Sequence, residues 1–149
     1  LLNASLEPGN AFLWNRLNHF AGKPIRHGRW YPDAKVRLWN RKEGKWGGMN
    51  PHDKVVLSSN VKVSWLKGDM LHFTCRDEAH FRETMVKYAV LGNRARREKN
   101  KRSFPMQGWL GGAFHFLADY VFRRGFMDGK EGWIIAREQF WYTVRKYGG

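Results

Sequence analysis

The chain has 149 residues, 42% of them hydrophobic and 27% charged, with eight Trp, ten Phe and five Tyr. That length suits one domain with a real core, and a chain this apolar and aromatic is excluded from the disordered class. The formal charge of +14 calls for an anionic partner, whether nucleic acid, an acidic membrane or a phosphorylated ligand, and does not choose among them.

The first third is punctuated by turn residues: Pro8-Gly9-Asn10, Gly22-Lys23-Pro24, Gly28, Tyr31-Pro32-Asp33 and Gly47-Gly48, with room for short strands between the breaks. Lys35 to Trp39 alternates, with Val36 and Leu38 on one face and Lys35, Arg37 and Trp39 on the other, which predicts a strand. Val61 to Trp65 alternates in the same way. Met70 to Phe73 follows a Gly68-Asp69 turn, so these two runs are expected as a hairpin or adjacent strands. Cys75 is the single cysteine; it excludes an internal disulfide framework, fits a reducing compartment, and beside Phe73 and Thr74 reads as a packed small residue.

From Asp77 the period changes. Asp77 is a candidate cap for a helix in which Phe81, Met85, Tyr88 and Ala89 recur at helical spacing. That helix runs into Arg94, Arg96, Arg97, Lys99, Lys101 and Arg102, with Glu98 against them, before Pro105 interrupts. A second helix carries Leu110, Ala113, Phe114, Leu117, Tyr120 and Val121 on one stripe. After a break at Gly125 to Gly129, a third carries Trp133, Ile134, Phe140, Trp141, Val144 and Tyr147. Strands first and helices last outline an α+β fold, or the second half of an α/β one. The expected division is 1–75, strand-rich, and 76–149, helical. No apolar run reaches the ~18 residues of a membrane span, and no signal-peptide pattern is visible. The start at Leu1 rather than Met reads like the middle of a longer protein.

Six histidines, at 19, 27, 52, 72, 80 and 115, show no HxxxH or HExxH spacing, which argues against a zinc protease or zinc finger. No GxSxG elbow or Walker loop is present. His72 stands out because its strand ends where the helix begins, although a hydrogen-bonded structural histidine is the commoner outcome. The basic run Arg94 to Arg102 reads either as a solvated helix end or as an anion-binding surface, and it matches no nucleic-acid signature. The two C-terminal helices, flanked by Arg123, Arg124, Arg137, Arg145 and Lys146, suit either core packing or the headgroup region of an anionic bilayer.

Several blocks together carry a family pattern. They are Arg16 to Asp33, including Gly28-Arg29-Trp30-Tyr31-Pro32-Asp33; Val36-Arg37-Leu38-Trp39; Gly68 to Phe73; Lys87-Tyr88-Ala89; and Gly125 to Trp133. In order and spacing this series resembles glycosyltransferase family 2, within it the bacterial lipopolysaccharide-core glucosyltransferase type. The resemblance implies the second, acceptor-side half of a GT-A Rossmann-like domain, followed by a membrane-proximal helical tail. The donor-binding half and its Asp-x-Asp motif are expected upstream of Leu1. It further implies that Gly28, Trp30, Tyr31, Asp33, Arg37 and His52 bind substrate and that Asp53, where the family has a base-bearing pair, is the catalytic base. His72 then lies near a divalent metal, Mg or Mn, and the diphosphate. The implied partners are a nucleotide-sugar donor, a glycolipid or glycan acceptor and an anionic membrane surface, with no nucleic acid. The implied location is the cytoplasmic side of a bacterial membrane, held peripherally. The competing expectation is a non-enzymatic basic module that binds RNA or an acidic membrane surface.

Overall fold

The computed structural model describes residues 8–47, 54–101, 104 and 106–148. The protein is a mixed α and β fold with antiparallel strand pairing. Its strands are β1 (Asn10–Phe20), β2 (Lys23–Pro24), β3 (Ala34–Trp39), β4 (Gly44–Gly47), β5 (Lys54–Leu57) and β6 (Lys62–Cys75). Its helices are α1 (Glu78–Glu98), α2 (Gln107–Leu117) and α3 (Lys130–Tyr147). A division at 75/76 was the expectation from sequence; the compact units are discontinuous, Leu1–Arg16 with Asp33–Met70 and Leu17–Pro32 with Leu71–Gly149.

In the first unit β1 pairs antiparallel with β3, from Ala11 opposite Trp39 to Asn15 opposite Ala34, with a register shift between Phe12 and Leu13. Ala11 and Phe12 are buried. β4 and β5 form an antiparallel pair with Trp46 opposite Val55. The Trp46 ring meets Trp39 edge to face at 5.5 Å, the geometry that ring quadrupoles favour.

In the second unit the end of β1, Leu17 to Phe20, is buried at every residue, as expected of a strand covered on both faces. β2 pairs with it antiparallel through His19 and Phe20. The end of β6 runs alongside in the same direction: Asn18 meets His72 and Thr74, and Ala21 N–H donates to Cys75 O. Phe20, Ile25, Cys75, Phe81, Ile134 and Ile135 make the core, with Trp30 and Met85 against it. Cys75 is therefore a packed, free thiol, and burial raises its pKa. Asp77 caps α1 as expected, its Oδ1 accepting from the His80 N–H at 2.8 Å.

One expectation needs correction, and one open choice is narrowed. The run around Gly68-Asp69 is not a turn between two strands; β6 passes through it unbroken, with Gly68 at φ +97° absorbing a local irregularity that only glycine adopts easily. The apolar stripe of α2 is not its packing face. α2 meets α3 through glycines: a Cβ on Gly108 would lie 3.0 Å from Val144 O, and one on Gly112 would lie 2.9 Å from the Phe140 ring. Leu110, Phe114, Leu117 and Val121 are left exposed. Among the described residues no helix is long and apolar enough to cross a membrane.

Candidate functional site

The stretch from Arg26 to Trp30 is held by two buried aspartates far along the chain. Asp128 accepts from the Arg26 N–H at 3.1 Å and the His27 N–H at 2.8 Å, and its Oδ1 lies 3.0 Å from His27 Nδ1. Asp119, only 2% exposed, sits on a π-helical turn, Ala118–Phe122, a widening often found at functional positions. It accepts from Arg29 Nε and, at 2.7 Å, from Arg123 Nη1. Arg29 also reaches His115, Nη2 to Nδ1 at 3.3 Å. Arginine only donates, so that imidazole nitrogen carries the lone pair. Burial first, then the Arg29 charge, lowers the His115 pKa against the opposing pull of Asp119. Gly28 has φ +71° and donates its N–H to Arg123 O at 3.0 Å; the left-handed backbone explains a glycine here. The cavity among Ile25, Gly28, Arg29, Asp119, Asp128 and Gly132 is about 10 Å³, at most the room one water needs. These aspartates position the loop; they do not line a substrate pocket.

Trp30 is half-buried, edge to face with Phe81 at 5.5 Å, and its carbonyl accepts from Asn18 Nδ2 at 2.9 Å. Its contacts are those of a core residue. Tyr31 is half-buried and joined to Pro32 by a cis peptide. Asp33 belongs to the first unit. Burial opposes its ionisation, but hydrogen bonds from Arg16 (Nε at 2.9 Å) and Lys35 (Nζ at 3.1 Å) outweigh it and lower the carboxyl pKa. A carboxylate held this way is a weak base. Arg37, in the same unit, lies over the Trp46 ring with Cζ 5.7 Å from its centroid. His52 and Asp53 lie outside the described residues.

His72 is placed by Asn18. The Asn18 amide donates Nδ2–H to Trp30 O, so its Oδ1 is the acceptor for Thr74 Oγ1 and for His72 Nδ1, each at 3.0 Å. His72 Nδ1 is therefore the donor to these oxygens. An imidazole oriented in this way fits one donor position of a metal site. Among the described residues no group of three or more His, Cys, Asp or Glu is gathered to hold an ion.

No protein-family model matches the chain, and no solved structure matches it.

Asp119 and Asp128 escaped sequence reading because a lone aspartate inside an aromatic helix or a turn gives no local sign of burial. The one signal in the sequence is the family-like block Gly125 to Trp133, which contains Asp128.

Proposed function

We propose that this chain is the acceptor-side half of a GT-A, family 2-type inverting glycosyltransferase. The reaction moves a sugar from a nucleotide-sugar donor to a lipopolysaccharide or other cell-envelope glycan acceptor. The enzyme works peripherally at the cytoplasmic face of a bacterial membrane. The supporting observation is that Arg26, His27 and Arg29 are gripped by Asp119 and Asp128. Two blocks of the family-like series, about a hundred residues apart in sequence, thus depend on each other in the fold. Such mutual dependence is what a loop held for ligand binding requires.

In an inverting transfer the acceptor hydroxyl displaces the nucleoside diphosphate from the anomeric carbon in one step. A carboxylate within hydrogen-bond range removes the hydroxyl proton. The resemblance assigns this role to Asp53, whereas Asp33, tied to Arg16 and Lys35, suits it poorly. A divalent ion, with His72 as one donor, would supply positive charge for the departing diphosphate.

Protein carrying this chain, incubated with nucleotide sugars and core-oligosaccharide acceptors, is expected to give a product one hexose heavier, with inverted anomeric configuration by NMR. Tight, salt-sensitive RNA binding with no transfer to any acceptor would instead favour a basic binding module.

A further inference from the structure

We propose that the outward face of α2, together with an arginine-lined groove between α1 and α3, docks on an anionic phospholipid surface, the groove taking a lipid phosphate. This deepens the peripheral placement proposed above, and because it is read as vesicle binding without turnover, it can fail while transfer stands.

The apolar part is explicit. Leu110, Phe114, Leu117 and Val121 follow at intervals of four, three and four and are 57, 66, 50 and 46% exposed, with Phe122 beyond them at 81%. Their exposure is imposed by packing, since the glycine face of α2 occupies α3. A helix lying flat in a membrane interface presents such a face to the acyl boundary.

The charged part lies between α1 and α3. A groove of about 390 Å³ is lined by Val90, Asn93, Arg94, Arg97, Arg145 and Gly148. Arg94 pairs with the exposed Glu98 at 3.0 Å, and the Asn93 amide donates to the carbonyls of Lys146 and Gly148. Three arginines thus line the groove, and planar guanidinium suits phosphate oxygens. Groove and apolar face join through aromatics: Arg145 lies over Trp141 at 5.8 Å, and Trp141 meets Trp109 of α2 edge to face at 5.8 Å. Tryptophan between a cationic rim and an apolar face matches the layering of a bilayer interface.

Charge selects the occupant. A second copy, paired about a two-fold axis, would bring arginine rims against each other. Nucleic acid has a polar, charged surface and would leave the leucine and phenylalanine side chains uncovered.

Co-sedimentation of the full chain with vesicles tests this, using phosphatidylcholine alone or mixed with phosphatidylglycerol. Binding is expected to the mixed vesicles only, weakened at least about tenfold by the pair Arg97→Glu and Arg145→Glu. A similar weakening is expected from the pair Leu110→Ser and Phe114→Ser; if that pair melts early, Phe122→Ser replaces it. Four results overturn the proposal: equal binding to both vesicle types; no binding to either; indifference to the apolar substitutions; or a dimer in free solution that Leu110→Ser and Phe114→Ser dissolve. Inorganic phosphate bound through Arg97 and Arg145 without vesicle binding overturns it too, since the groove would then serve a soluble anion.

Discussion

His27 is held twice by Asp128: its main-chain N–H donates to Oδ2 at 2.8 Å, and its Nδ1 lies 3.0 Å from Oδ1. With the Arg26 N–H on the same carboxylate, the side chain at the turn before α3 substitutes for a backbone partner that the loop lacks. Asp128→Ala removes a carboxylate that is itself only 6% exposed and leaves these part-buried donors without it. Each orphaned buried donor costs about 1–3 kcal/mol. Urea denaturation should therefore show a loss of about 2–5 kcal/mol, with Asp128→Asn losing less because one acceptor oxygen remains. Equal stability of Asp128→Ala and the parent protein would show that the loop does not rely on this carboxylate.

Two glycines should respond very differently to alanine. A Cβ at Gly132 would sit 1.9 Å from Gly125 O, a backbone atom that cannot swing away; at Gly111 the nearest atom is Thr143 Cγ2 at 3.3 Å. Gly132→Ala is expected to cost about 3 kcal/mol or more through overpacking and backbone displacement. Gly111→Ala, within α2, should fall within about 1 kcal/mol of the parent, because alanine's better helix propensity offsets mild crowding. Thermal melts of the two variants rank them, and the reverse order would refute the close approach of α3 to Gly125.

His115 gives a pH dependence with a definite sign. Its pKa in the fold is lowered by burial and by Arg29, with Arg123 and Lys146 adding to this and Asp119 opposing. The unfolded chain therefore takes up the proton first as pH falls. The associated stability is present above the ordinary histidine value of about 6.5 and is lost as pH drops through the lowered one. The melting temperature should decline on acidification from about pH 7, and His115→Gln should flatten that part of the profile. An identical profile in the variant would remove His115 as its source.

Asp53→Asn, in the enzyme acting on its acceptor, should cut turnover roughly 10²-fold or more, the usual scale for an acid–base group, with donor affinity little changed. Near-normal turnover would take Asp53 out of the mechanism and send the search for a base elsewhere.

His72→Ala should weaken binding of a nucleoside diphosphate in the presence of Mg or Mn, read by titration calorimetry. Because Asn18 and Thr74 surround Nδ1, some thermal stability should go too. Lost stability with unchanged affinity would make His72 a structural histidine only.

The sequence alone determined those features whose causes lie within a few residues. Asp77 as a helix cap, the three C-terminal helices and the alternating strand at Lys35 to Trp39 all follow from capping and periodicity, and all appear in the fold. Tertiary structure decided the rest. Hydrophobicity made Leu110, Phe114, Leu117 and Val121 look like the buried stripe of α2. What decides which face is buried, however, is how closely two helices approach, and Gly108, Gly111 and Gly112 let the opposite face approach α3. The surroundings of Trp30, Phe20 and Phe81, come from other elements. Asp119 and Asp128 look like ordinary polar residues until chain closure brings Arg26, His27 and Arg29 to them across about ninety to a hundred residues. A carboxylate's role is set by the donors around it, and those donors are gathered only when the chain folds.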